Sequence, residues 1–145
     1  MQQCHEPPHF NIRWEGQIVR LEFERYETSP MAVTRAVSAV RQAIEYRDGA
    51  SWVEVCSIAD PRGSSLPLRQ FFASELEWKV RNGCIGVAIC ADEQSFESTS
   101  RTFHSNKYKG LVKVFSDLKE CYGWANSKLS ANDAFINKSK SNAVA

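Results

Sequence analysis

Four polar residues follow a short apolar segment, and their types and spacing would suit a regulatory site at which a serine is phosphorylated. Trp52–Ile58 is rich in β-branched and aromatic residues, which predicts a buried strand, and Asp60, Arg62, Ser64 and Ser65 come after it. A leucine and a proline follow the serines, so one serine is expected to cap a helix N-terminus. That N-terminus would stabilise a phosphate on Ser64 or Ser65, and Arg62 could pair with it. The serines therefore have two open roles, plain capping and a phosphorylation switch, while Asp60 before a proline favours a turn.

Two aromatic residues in the following helix form a second candidate site. Phe71 and Trp78 are seven residues apart and share a face, which lies roughly 110° from the predicted apolar stripe at 100° per residue. Trp124 has a similar position on the last predicted helix. Such residues either pack beneath a neighbouring helix or contact a partner, since aromatic residues are enriched in interface cores. The second possibility predicts a homodimer or a partner-binding surface that comprises Asp60, Arg62, Ser64, Ser65, Phe71 and Trp78.

Other residues with reactive side chains form no established motif. Cys4, His5 and His9 lie near each other, but their spacing matches no zinc pattern and no second pair of ligands follows. His104 would need a nucleophile such as Cys56, Cys90 or Asp60 brought close by the fold. The glycines are isolated and build no phosphate-binding loop. The sequence therefore predicts no metal, no cofactor and no catalytic residue.

Length, charge and composition exclude several classes of protein. The chain has 145 residues and a formal net charge of +1, and its lysines and arginines are scattered among acidic residues, which disfavours nucleic-acid binding. No apolar stretch is long enough to span a membrane, and the N-terminus lacks the pattern of a secretory signal. The five cysteines are odd in number and lack a CxxC pair, which favours reduced thiols in the cytoplasm.

The hydrophobic periodicity predicts an α/β protein with the order β-β-α-β-α-β-α-β-α. Alternating residues around Glu15-Gly16 predict an antiparallel hairpin, and the later strands alternate with helices, which predicts parallel strands with helical crossovers. The apolar stripe of the second helix is expected to comprise Leu68, Phe72, Leu76 and Val80. We expect a flexible N-terminus over residues 1–8, one domain over 9–129 and a polar C-terminal tail over 130–145.

This order of elements resembles the STAS superfamily, the domain of bacterial anti-sigma-factor antagonists. It is most similar to the divergent STAS-like group that is often placed with Sec14-type lipid-binding folds. The resemblance covers Phe10 to Leu129 and rests on the hairpin, the strand-loop-helix unit at Asp60, the strand GVAIC and the ending VKVFSDLKECYGWANSKL. It implies a STAS-like fold and a regulatory domain that binds a partner protein without catalysis.

The resemblance also assigns roles to particular residues. In the phosphoregulated antagonists a serine directly follows the strand-end aspartate, and its phosphorylation breaks a protein complex. Asp60 matches that aspartate, but Pro61-Arg62-Gly63 separates it from Ser64, so both serines are candidates for the switch. The Sec14-type similarity implies an alternative function, a small-molecule or lipid-binding module. Its apolar pocket between sheet and helices would be lined by Phe10, Phe23, Phe96 and Phe103.

Overall fold

The computed structural model describes residues 10–23, 30–45, 49–58, 66–104 and 108–143. The elements follow one another as β1 (Phe10–Glu15), β2 (Ile18–Phe23), α1 (Pro30–Glu45), β3 (Trp52–Ile58), α2 (Leu66–Arg81), β4 (Cys84–Ala91), α3 (Glu93–Thr102), β5 (Val112–Phe115) and α4 (Leu118–Ala143). This order confirms the predicted α/β fold class. No helix in these ranges is long and apolar enough to cross a bilayer.

The hairpin of β1 and β2 starts the sheet as the sequence predicts. The strands pair antiparallel from Phe10 opposite Phe23 to Glu15 opposite Ile18. A two-residue loop joins them, and its first residue, Gly16, has a φ of 62°. A positive φ at this position suits a tight hairpin turn, and glycine adopts it without steric cost.

The five strands lie in the order β1-β2-β3-β4-β5, with β2 to β5 parallel. Each parallel strand is thus added on the same side of the one before it. Right-handed crossovers that advance in one direction leave their helices on one face of the sheet. Helices α1, α2 and α3 therefore share the first face, and within the described ranges the helix that covers the second face is α4.

The first face carries the larger hydrophobic layer. Val40 of α1, Leu76 of α2 and Phe103 directly after α3 pack with the inward residues of the sheet. Trp52 is 1% exposed, donates its indole N–H to the carbonyl of Asn82 at 2.8 Å and meets Trp14 edge-on at 6.2 Å. The strand that the sequence predicts as buried therefore anchors this layer.

The second face carries a layer of smaller side chains. Val53, Val55 and Ala88 of the sheet pack against Ala125 and other small or aliphatic residues of α4. Ala125 is fully buried, so the helix lies close to the strands at this point. The apolar β4 is covered on both faces, as its sequence predicts.

Helix α4 is longer than the sequence predicts. We expected it to end near Leu129, where the composition becomes polar, but it continues to Ala143. No glycine or proline follows Gly123, and alanine and lysine favour helix, so nothing in the local sequence ends it. Residues 133–138 are exposed, which explains why the hydrophobic pattern does not reveal this part of the helix.

The close approach of α4 to the sheet predicts a large effect of added volume at one position. Ala125→Leu should lower the free energy of unfolding by about 1–3 kcal/mol, because the larger side chain has no space against β3 and β4. Ala134→Leu adds the same atoms at an exposed position of the same helix and should change stability by less than about 0.5 kcal/mol. Urea denaturation measures both variants, and equal stability would contradict this packing.

Candidate functional site

The four polar residues expected to contact a partner, with the two candidate phosphorylation sites among them, lie outside the described ranges. Asp60, Arg62, Ser64 and Ser65 belong to residues 59–65, between the end of β3 and the start of α2. Phe71 lies in α2, but its side chain is not described. Their roles in partner binding and phosphorylation stay predictions.

Trp78 packs between helices of its own chain. It is half-buried against the first hydrophobic layer, and the guanidinium of Arg41 lies 4.7 Å from its ring centre. Arg41 also binds Glu75 through two nitrogens, at 2.8 Å to Oε1 and 3.1 Å from Nε to Oε2. The contact therefore joins α1 to α2, which is the intramolecular alternative that the sequence left open for Trp78.

The phenylalanines expected to line a ligand pocket have different environments. Phe103 is 9% exposed and packs edge-on against Tyr108 at 5.2 Å, and Phe10 packs against the same hydrophobic layer. Phe96 is half-buried in α3, and the side chain of Phe23 is not described. Phe103 thus belongs to the core and Phe10 packs against it, and the pocket stays a prediction.

A buried ion pair lies where the sequence predicted an apolar stripe. The Nζ of Lys79 is 2.9 Å and 3.0 Å from the two carboxylate oxygens of Glu54, and these side chains are 5% and 0% exposed. Val80, which we expected to face the core, is 46% exposed. That expectation was wrong because Glu54 faces α2 from β3, and α2 turns Lys79 inward to neutralise it.

The thiols of the first layer are poor nucleophiles. Burial raises the pKa of the fully buried Cys56 thiol far above its usual range, and it raises the pKa of Cys84 to about 12. A thiol with such a pKa stays protonated at neutral pH, and nucleophilic chemistry requires the thiolate. His104, which would need such a nucleophile close by, is exposed, whereas these thiols are buried.

A second buried charge lies beneath α4. Arg20 is 2% exposed, and its guanidinium donates to the carbonyls of Leu21 at 2.7 Å and Val55 at 3.3 Å and to the hydroxyl of Ser57 at 2.6 Å. Its Nε has no hydrogen-bond partner, and no carboxylate of the described residues forms an ion pair with it. The alternating pattern of β2 predicted one buried face, so Arg20 was expected in solvent. The sequence could not show that α4 covers the second face.

Two neighbouring thiols lie near this arginine. Burial raises the pKa of Cys121, on α4, to about 12, and it also raises the pKa of Cys90, on β4. The positive charge of Arg20 lowers both pKa values but does not outweigh burial. This cluster therefore holds protonated thiols and a guanidinium whose two terminal nitrogens are hydrogen-bonded, which is a structural rather than a reactive arrangement.

An aromatic contact joins α4 to the outer half of the sheet. The indole of Trp124 lies directly on Gly86, where a Cβ atom would be 2.9 Å from the ring. Phe115 of β5 packs against the same indole at 6.1 Å, and the Nζ of Lys128 lies 5.2 Å from its centre. Gly86 is thus needed for a close approach, which the sequence did not reveal because Trp124 is distant in the chain.

A groove runs along α4 beside this contact. It has a volume of about 470 Å³, is open to solvent and is lined by Ile85, Trp124, Ser127, Lys128, Ala131 and Asn132. Lys128 donates a hydrogen bond to the carbonyl of Gly110, directly before the turn into β5. The side-chain nitrogen of Asn132 is buried and has no partner among the described residues. The groove therefore combines an aromatic floor with polar groups that could contact a bound molecule.

The C-terminal part of α4 extends this surface past the sheet. A helix of 26 residues spans about 39 Å, whereas the eight residues of β4 span about 26 Å. Phe135 is 70% exposed and lies within about 20° of Trp124 around the helix, and Ile136 is 38% exposed. We call the groove together with Phe135 and Ile136 the α4 surface.

The buried ion pair predicts a large cost when one partner is removed. Lys79→Met should destabilise the protein by about 3–5 kcal/mol, because it leaves the carboxylate of Glu54 buried without a counter-ion. Urea denaturation at neutral pH measures the loss. Glu77→Gln is the control, since it removes an i,i+4 pair with Arg81 whose side chains are 79% and 70% exposed, and it should cost less than about 0.5 kcal/mol.

The same pair sets the sign of a pH dependence. Burial alone would lower the pKa of Lys79, but the charge and hydrogen bond of Glu54 outweigh it and raise the pKa above 10.5. The contribution of the pair is therefore complete below pH 10.5 and is lost as the pH rises through the pKa of the folded state. The stability difference between wild type and Lys79→Met should narrow above pH 10.5, and an unchanged difference would contradict the pairing.

Comparison with known proteins adds no relative from which a role could be transferred. No protein-family model, curated protein sequence or solved structure matches the chain. The similarity to STAS domains thus rests on the residues and the order of elements given above.

Proposed function

We propose that this chain is a non-enzymatic, STAS-like regulatory domain that binds a partner protein, and that the α4 surface takes part in the contact. The observation that carries the proposal is the uncovered apolar end of α4. Phe135 is 70% exposed beside a groove with Trp124 in its floor. Large exposed apolar side chains beside a groove are typical of protein interaction sites.

The composition of the α4 surface supports a protein partner. Interfaces are enriched in aromatic residues at their centre and polar at the rim. Trp124 and Phe135 supply aromatic anchors, and Ser127, Lys128 and Asn132 supply the polar rim. Both anchors lie on a long helix that packs on the sheet, so little order has to be gained on binding.

The segment of residues 59–65 is a second contact region in this proposal. It follows the carboxyl end of β3, whereas the α4 surface extends past the amino ends of β4 and β5. Asp60, Arg62 and Phe71 would contact the partner there, and Ser64 or Ser65 would modulate the contact if phosphorylated. The similarity to anti-sigma-factor antagonists supports this region.

A pull-down from the native host tests the proposal with matched variants. Phe135→Asp should lose the proteins that the wild type captures, because it places a charge at the exposed apolar end of the α4 surface. Asn137→Asp is the control, since it makes the same change in charge at an exposed residue about 200° round the helix. Phe71→Asp tests the second contact region in the same experiment.

The outcomes separate the two regions. Loss of partners with Phe135→Asp alone assigns binding to the α4 surface, and loss with Phe71→Asp alone assigns it to the segment of residues 59–65 and α2. Identical captured proteins for all the variants would contradict a protein-binding function through either region. Circular dichroism confirms that each variant is folded before the comparison.

Binding of a small apolar molecule is the second candidate function, and the groove is the observation that favours it. Its volume of about 470 Å³ lies within the range of about 300–1,000 Å³ for ligand pockets. Native mass spectrometry of the purified protein should then show a bound apolar mass that Ala131→Trp, which fills the groove, removes. A spectrum of the bare chain, or a mass retained by the variant, would contradict this function.

A further inference from the structure

A row of two aromatic rings with a cation at each end lies along the α4 surface. The Nζ of Lys113 is 5.4 Å from the ring centre of Phe115, Phe115 is 6.1 Å from Trp124, and the Nζ of Lys128 is 5.2 Å from Trp124. Lys113 is exposed on β5, which is the last strand of the sheet and pairs with β4. The row therefore presents two ammonium groups at the sheet margin on either side of an aromatic floor.

The positive charge of this row lacks a carboxylate counterpart in the described ranges. Salt bridges bind the carboxylates of Glu15, Glu54, Glu75, Glu77 and Glu97, and none of these involves a lysine of the row. Lys109, one residue before Gly110, is a further exposed cation at the same margin. The chain as a whole carries a net charge of only +1, so these three lysines form a local excess of positive charge rather than part of a generally basic surface.

The two acidic residues of α4 lie outside the part of the surface between Trp124 and Phe135. Asp133 is exposed on the opposite side of the helix, about 180° from Trp124. Glu120 shares the face of Trp124 but lies one turn toward the start of the helix, whereas Lys128 lies one turn after Trp124, toward Phe135. The part of the α4 surface between Lys113, Lys128 and Phe135 therefore has a positive rim.

Deepening the proposed function, on which this inference rests, we infer that the α4 surface binds an acidic peptide segment of another protein. Carboxylates of the segment meet Lys113 and Lys128, and an apolar side chain between them rests on Trp124. Charge complementarity of this kind fixes the register of a partner and accelerates association.

The same charges disfavour two other occupants. A second copy placed on this surface by a two-fold axis would bring Lys113 and Lys128 toward their own equivalents, and like charges oppose that contact. Single-stranded nucleic acid also seeks cations and aromatic rings, but its binding grooves follow the backbone with a longer positive track. Three lysines on a chain of net charge +1 do not supply such a track.

Binding of two synthetic peptides to the full-length chain tests the inference. Both have a central phenylalanine, which is flanked by glutamates in one and by glutamines in the other, and each carries a fluorescent label for anisotropy. The glutamate peptide should bind at least roughly tenfold more tightly, and its affinity should fall as salt is added. A single-stranded oligonucleotide of similar length serves as the nucleic-acid probe.

Charge reversals on the chain assign the effect to the row. Lys128→Glu and Lys113→Glu should each weaken the glutamate peptide by roughly tenfold or more and leave the glutamine peptide nearly unchanged. Lys113 does not take part in the hydrogen bond to Gly110, so its variant separates charge from local structure. Lys119→Glu is the control, because Lys119 is exposed on α4 about 180° from Lys128.

Several results would overturn the inference. These are equal binding of the two peptides, an equal loss with Lys119→Glu, or tighter binding of the oligonucleotide than of the glutamate peptide. If Phe135→Asp loses native partners while Lys113→Glu and Lys128→Glu keep them, the protein-binding function stands and the acidic partner is wrong. If none of these variants changes the captured proteins, the binding function of the α4 surface fails as well.

Discussion

The structure depends on the order of the strands in its sheet. Every strand after the hairpin is added on the same side, so the three crossover helices must share the first face. The second face would stay open to solvent unless α4 returned across it. Burial of Val53, Val55 and Ala88 under Ala125 is therefore the interaction that completes the core. The close contact of Trp124 with Gly86 and the burial of Arg20 follow from the same placement.

The two faces solve the problem of buried charge in different ways. On the first face Glu54 and Lys79 neutralise each other at 2.9 Å, which compensates for the loss of hydration. On the second face Arg20 relies on neutral oxygen acceptors from β2 and β3. Both arrangements tie a helix or a strand pair to a defined position, and neither presents a reactive group to solvent. The groups available for binding therefore lie on the surface of the protein rather than in its interior.

The sequence predicts the fold class well because hydrophobic periodicity is a local signal. The hairpin, the order of nine elements and the burial of Trp52 can be read from residue spacing. Lys79 and Val80 show the limit, since the orientation of α2 is decided by Glu54, which is far away in the chain. Arg20 shows it again, because which face α4 would cover depends on the order of the strands. No local pattern encodes that order.

The candidate site was predicted less well than the fold. Spacing singled out Trp78 and Trp124 as aromatic residues off the main stripe, but the structure packs Trp78 against Arg41 and Trp124 against Gly86. Phe135 gave no signal, because it lies in a polar stretch that was expected to be a tail. Its exposure follows from the length of α4 relative to the strands. That comparison requires the structure.

We propose that the far part of α4 is a binding surface rather than a passive extension of the helix. Hydrogen–deuterium exchange of the chain, alone and with a partner captured from the host, distinguishes the two. The partner should slow exchange over residues 127–138, since binding covers the groove and the end of the helix. Slower exchange confined to residues 66–78, with α4 unchanged, would contradict it and move the contact to α2.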